Sequence, residues 1–234
     1  MRCLLLEEEA RGKTQTVEDE LSKAGLTDGN GYFKNTGSAS PVGIYGSLYD
    51  NKDGIVLFDD CDSALADQEG RNLIKSATDT KKIRKVAWNK KSSSIIRLSD
   101  FEQMVDEADG ERPTTKDGSP LYPNSFEFTG RVIFISNLPL NKLDPDGALR
   151  TRGYIIEIDP TDAELIDYMA KIAPLIKLEN GTVLPQEKID EVVEQIRNST
   201  NKSDISLRKL VRALNIKAEL GDDPDCEEII KLYA

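Results

Sequence analysis

The chain contains no histidine. That absence excludes imidazole acid–base catalysis, Ser–His and Cys–His nucleophilic pairs, and zinc sites that use imidazole. Cysteine is scarce, with Cys3, Cys61 and Cys226 far apart in the chain. An odd, scattered set reads as free thiols in a reducing compartment, and it does not suit a disulfide framework. No apolar run approaches the roughly 20 residues of a membrane span. The apolar part of the opening MRCLLLEEEA is also too short for a signal peptide, so the expected location is the cytoplasm and no membrane partner is expected. Basic charge is in deficit: 31 Lys and Arg stand against 42 Asp and Glu, a formal net charge of −11. This excludes a basic nucleic-acid-binding face over the whole surface but leaves room for a local basic stretch. The remaining composition, 38% hydrophobic and 31% charged over 234 residues, fits a globular protein of one large domain, or a domain with a small lid.

The chain is organised around Ile55–Asp62, IVLFDDCD. An unbroken apolar run predicts a strand buried on both faces, as in a parallel sheet. Its end in two adjacent carboxylates, Asp59 and Asp60, places acids where open α/β sheets bind ligands. Uncompensated carboxylates are too costly to be core residues. Such a pair suits a hydrated magnesium ion, which prefers one or two carboxylates together with phosphate oxygens. The plainer reading is that the acids merely begin a loop.

Ahead of it lies a short apolar run, Cys3–Leu6, followed by EEEARGKTQTV. Gly12, Lys13 and Thr14 match the end of the phosphate-binding loop G-x-x-x-x-G-K-[ST]. There glycine turns backbone amides toward phosphate, lysine reaches the outer phosphates and the hydroxyl ligates magnesium. The first glycine of that pattern falls on Glu7, whose carboxylate is expected to weaken phosphate binding. Val17, Leu21 and Ala24 then follow helical spacing, with Gly25 as the C-cap candidate.

Further along, YFKN predicts a second strand and Ile44–Tyr49 a short helix, with Tyr45 and Gly46 either lining a pore or simply packing. Ala66–Thr78 reads as a helix. Lys81–Thr129 reads as a protruding insertion with a mobile acidic middle at Asp106–Ser119. Its basic runs KKIRK and WNKK, with Trp88 interleaved, fit either contact with a nucleic-acid strand or a solvated charged edge. RVIFISN predicts a strand ending at Asn137, and Tyr154–Asp159 predicts another. From Pro160 onward the periodicity is helical. Leu165, Tyr168, Met169 and Ile172 form one face, Ile189, Val192, Val193 and Ile196 a second, and Leu207, Leu210, Val211 and Leu214 a third. The expected fold class is α/β, a parallel-sheet core over residues 1–159 with the insertion at about 81–129, followed by an all-helical lid over 160–234.

A GKT loop, a strand ending in Asp-Asp, a strand ending in Asn, an ALRTR segment (148–152) and a helix containing ISLRKLVRAL (205–214) occur here in one order. This resembles the AAA+ ATPases, and more loosely the AAA-type ATPases of tailed phages. The resemblance implies a P-loop nucleotide-binding core with ATP and Mg2+ as cofactors. Gly12, Lys13 and Thr14 then stand in Walker A. Asp59 is the magnesium carboxylate of Walker B, and Asp60 replaces the glutamate that polarises the attacking water. Asn137 matches sensor 1. Arg152, with Arg150 as second candidate, matches the finger that reaches a neighbouring subunit's nucleotide, and Arg208 matches sensor 2. Phosphoryl transfer needs positioning, a metal and cations, and it needs no histidine. The implied partner is a second copy in a homo-oligomeric ring, hexameric by family default, working on an unidentified protein or nucleic acid. Two alternatives stand beside it: a catalytically silent AAA+-like scaffold, and a clamp- or helicase-loader type ATPase on DNA. The chain begins immediately before its first strand, so the segment that covers adenine in the family is expected to be missing.

Overall fold

The computed structural model describes residues 3–7, 12–158, 160–198 and 205–233. Two compact units emerge: Met1–Glu7 with Thr14–Glu157, and Glu8–Lys13 with Ile158–Ala234.

The first unit is built on a parallel sheet. Its strands are β1 (Cys3–Glu7), β2 (Thr27–Asp28), β3 (Gly31–Thr36) and β4 (Ile55–Asp59). Four short strands follow: β5 (Arg84–Ala87), β6 (Ile95–Ile96), β7 (Tyr122–Pro123) and β8 (Ser125–Phe128). Then come β9 (Arg131–Ser136) and β10 (Tyr154–Ile158). The central sheet runs β10-β1-β9-β4-β3-β2. β4 lies between β3 and β9 with Asp59 opposite Thr36 on one side and Ile135 on the other. Val56, Leu57 and Phe58 are fully buried, because a central strand covered on both faces has no solvent side on which to place a polar residue.

The helices of this unit are α1 (Lys13–Lys23), α2 (Pro41–Asp50), α3 (Asp62–Ala66), α4 (Gln68–Ala77), α5 (Leu98–Glu107) and α6 (Leu140–Leu143). α2 is longer than expected because Ser40 caps it, its Oγ accepting from the Gly43 amide at 3.1 Å, and Pro41 begins it. The helix expected at Ala66–Thr78 is α4, which begins two residues later at Gln68, and the short helix α3 stands ahead of it. Asp67 is extended and caps α4 by accepting from the Gly70 amide at 3.0 Å. A Cβ on Gly70 would lie 2.1 Å from the Ala64 carbonyl oxygen, so only glycine lets the two helices meet there.

The segment 81–129 departs from its expected protrusion. β5 pairs antiparallel with β8, and Val86, Trp88, Ile95, Phe126 and Phe128 join Tyr45, Phe58 and Phe134 in the main apolar core. These alternating apolar residues bury enough surface to tie both ends of the segment down. Residues 106–111 in its middle are exposed.

The second unit is helical: α7 (Asp162–Ile172), α8 (Gln186–Arg197), α9 (Leu207–Leu220) and α10 (Cys226–Tyr233). Thr161 and Glu164 form a reciprocal capping box on α7. The core of this unit joins Leu165, Met169, Ile189, Val192, Ile196, Leu210 and Leu214. Tyr168 and Val211 carry the right spacing yet are exposed, and Ile166 and Ala213 are buried in their stead. Among the described residues no helix is long and apolar enough to cross a membrane.

Candidate functional site

The carboxyl ends of β4 and β9, side by side, gather the chemistry of the first unit. Asp59 closes β4 and is 4% exposed. Its Oδ1 accepts the Thr14 hydroxyl of α1 at 2.8 Å. Its Oδ2 lies 3.0 Å from the Lys34 ammonium, which reaches across from β3. Lys34 also binds Glu18, one helical turn beyond Thr14, at 2.7 Å. A buried carboxylate is thereby fully paired, which is the condition for keeping it charged. Burial opposes the charge of Lys34, but its hydrogen bonds to Glu18 and Asp59 prevail and raise its pKa above the ordinary value.

Asp60 follows with φ of 54°, in the left-handed region that Asp tolerates better than most residues. Its amide donates to the Ile135 carbonyl at 3.2 Å, and its Oδ1 accepts from Asn137 Nδ2 at 2.8 Å. The reversed backbone turns this carboxylate away from the strand path and toward β9. Next to it, Ser136 donates to Asp62, and the Leu138 amide donates back to the Ser136 hydroxyl at 3.0 Å, fixing the exit of β9. Cys61 is fully buried, its thiol donating to the Asn35 carbonyl at 3.4 Å. Burial first, and then the nearby charges of Asp59, Asp62 and Asp60, push its pKa up to about 11.

The arginine candidates sit in the turn between α6 and β10. Asp144 is 1% exposed and accepts from the Leu149 and Arg150 amides, each at 3.0 Å. Arg152 donates to the Ala148 carbonyl at 2.6 Å, closing the same turn. Thr14, Asp59, Asp60 and Asn137 are therefore brought together, whereas Arg150 and Arg152 belong to this separate turn. Gly12 has φ of 89°, a conformation that favours glycine, and Lys13 opens α1. Residues 8–11 and the side chain of Glu7 lie outside the described residues. Arg208, in the second unit, is the second residue of α9, behind the Ser206 cap, and is exposed.

A hydroxyl and a carboxylate 2.8 Å apart fit magnesium, which takes few protein ligands and fills its shell with water and phosphate oxygens. No group of three or more metal-ligating side chains is present among the described residues, so a cation here would draw most of its ligands from elsewhere. The residues present thus suit a metal delivered with a phosphate.

Two expectations change. Trp88 is 7% exposed, edge-on to Tyr45 with centroids 5.8 Å apart, so its ring is not offered to bases. Arg84 is 5% exposed and donates to the Phe128 and Gly130 carbonyls. The basic stretch is thus partly a structural brace. Tyr45 is fully buried and donates to the Pro123 carbonyl at 2.7 Å, which makes it a packing residue and not a pore residue. Lys34, Glu18, Asp62 and Asp144 were not singled out from the sequence. Lys34 and Glu18 meet Asp59 only through strand order, which has no local signature. Asp144, an Asx residue ahead of a glycine turn, carried at least a capping signal.

No family model matches the chain. It is 29% identical over 133 residues to an uncharacterized 36.7 kDa protein of Enterobacteria phage T4 from the nrdC-mobD intergenic region, a match covering 56% of this chain and 34% of that protein. Two mutants of RuvB from Thermotoga maritima superpose on 99% of the chain. They give TM-scores of 0.53 and 0.52 at 14% and 15% identity and are covered over 62% and 61% of their own lengths. The chain spans about a third of the phage relative and about three-fifths of the RuvB chains. Its fold is like that of the RuvB chains, a mixed α/β core on a parallel sheet.

Proposed function

We propose that this chain is an ATP-binding and ATP-hydrolysing subunit of AAA+ type, with a core at residues 1–159 and a helical lid at 160–234. The observation that supports it best is the pairing of Thr14 with Asp59 beside the pairing of Asp60 with Asn137, at the carboxyl ends of adjacent parallel strands. In this reading Lys13 binds the outer phosphates, and Gly12 lets the backbone approach them. Thr14 and Asp59 would hold Mg2+, which neutralises charge on the phosphates. Asp60 accepts hydrogen bonding from the attacking water, and Asn137 holds Asp60 in place. Arg152, with Arg150 beside it, reaches the nucleotide of a second copy in a ring. Arg208 acts from the lid. Turnover is coupled to remodelling a protein or nucleic-acid partner. With Trp88 and Arg84 buried, the loader-type reading on DNA keeps only the exposed lysines of the 81–91 stretch as local support.

One observation favours a second reading, a binding module without turnover: Asp59 already has a cation, Lys34, on its second oxygen. Calorimetric titration with ATP and Mg2+, followed by phosphate-release assays, separates the two. The enzyme reading expects Mg2+-dependent ATP binding that Asp59→Asn weakens, with turnover lost in Asp60→Asn. Binding without turnover establishes the module, and no binding by the wild-type chain overturns both.

A further inference from the structure

The Lys34 backbone pairs with Leu57 of β4, but its side chain lies outside the apolar core and stands at the centre of the site. Its ammonium lies 3.0 Å from Asp59 Oδ2 and 2.7 Å from Glu18 Oε1. The three side chains come from β3, β4 and α1 and are 19%, 6% and 30% exposed. The Thr14 hydroxyl takes the other oxygen of Asp59. Thus both oxygens of the carboxylate are satisfied by the protein alone, and one of the two partners carries a full positive charge.

We infer that Lys34 is an internal counter-ion that competes with a divalent cation for Asp59, and that Glu18 moderates the competition by sharing Lys34. The inference rests on the reading of Asp59 as a metal carboxylate. A divalent ion arriving at Asp59 meets an ammonium already within contact distance of the same carboxylate. Like charges repel most strongly where water is largely excluded, as it is around a 6% exposed side chain. The ion must therefore bind against that repulsion or drive Lys34 fully onto Glu18. The arrangement also keeps Asp59 paired when no metal is present, avoiding a buried lone charge. Metal affinity is then set by a side chain that is not itself a ligand, and Glu18 and Lys34 push it in opposite directions. Removing the lysine charge leaves the site more negative, and removing the glutamate charge leaves it more positive.

The test is water-proton relaxation with Mn2+ alone and with Mn2+ and ATP, on the wild-type chain and on Lys34→Met, Lys34→Arg, Glu18→Gln and Asp59→Asn. Thermal melting of each variant checks folding. Lys34→Met is expected to bind Mn2+ about tenfold tighter, the change one misplaced charge produces in a partly screened site. Glu18→Gln is expected to bind it several times more weakly, and Lys34→Arg is expected to restore wild-type affinity. A merely structural role for Lys34 would loosen the site in both Lys34→Met and Glu18→Gln. If the wild type binds and Lys34→Met binds equally or more weakly, the inference is wrong while Asp59 remains a ligand. If Asp59→Asn binds Mn2+ as well as the wild type, or if no folded protein binds it, the assignment of Asp59 falls and the inference falls with it.

Discussion

Asn137 donates its side-chain amide to Asp60 across the ends of β9 and β4, Nδ2 to Oδ1 at 2.8 Å. The contact links two strands at the point where the left-handed backbone of Asp60 turns its carboxylate aside. On the proposed reading this carboxylate faces the attacking water. Asp60→Asn, which keeps size and loses basicity, is expected to lower phosphate release about 10²–10⁴-fold while ATP binding persists. Asn137→Ala should lower turnover in the same direction. Single-turnover measurements separate chemistry from binding, and unchanged turnover in Asp60→Asn removes this residue from the reaction.

Tyr45 tests the core. It is fully buried, with edge-on rings of Trp88, Tyr122 and Phe126 around it and its hydroxyl on the Pro123 carbonyl. Tyr45→Ala leaves a cavity and is expected to cost about 3–5 kcal/mol. Tyr45→Phe leaves one carbonyl unpaired and should cost about 1–3 kcal/mol. Urea denaturation reads both, and near-zero values would return Tyr45 to the surface role considered for it.

Cys61 carries a pH signature. Its folded-state pKa, pushed up to about 11 by burial, lies above the ordinary thiol value of 9.0. Between those values the unfolded chain loses the proton first, so the folded state holds more protons and stability falls as pH rises. Below the ordinary value the contribution is fully present. Urea midpoints are expected to decline from pH 9 to pH 11 less steeply in Cys61→Ala. Peptide mapping should find Cys61 unalkylated by iodoacetamide at pH 8 until the chain is denatured.

What could be read in advance followed periodicity and position. IVLFDD announced a buried strand with acids at its end, and Ile189, Val192, Val193 and Ile196 announced a helix face that is buried at all four positions. What could not be read depended on partners distant in the chain. Lys34 looks like any polar residue of a half-exposed strand until β3 is placed beside β4. Arg84 and Trp88 look like a basic, aromatic surface until β5 pairs with β8 and their polar groups turn to the Phe128 and Gly130 carbonyls or into the core. Tyr168 keeps helical spacing but faces out, because the direction from which neighbouring helices cover α7 is not written in α7 itself.

The turn that carries the arginines gives the most discriminating test of assembly. Asp144 accepts two amides, those of Leu149 and Arg150, and is almost fully buried. Asp144→Ala strands both donors and should cost about 1–3 kcal/mol for each one left without a partner. It should also lower turnover, because the turn no longer holds Arg150 and Arg152. Arg152→Ala, by contrast, is expected to lower turnover about 10³–10⁵-fold, the range for an arginine acting on transferring phosphate, while its loss of stability is smaller. A drop confined to stability in both variants would reduce the turn to a structural element. Mixing supplies the decisive comparison. A subunit with Asp60→Asn keeps its arginine, and a subunit with Arg152→Ala keeps its Asp60. If Arg152 serves a neighbouring copy's nucleotide, combining the two inactive proteins restores sites that have both residues, and activity returns. If Arg152 serves its own chain, every site in the mixture still lacks one residue and the mixture stays inactive.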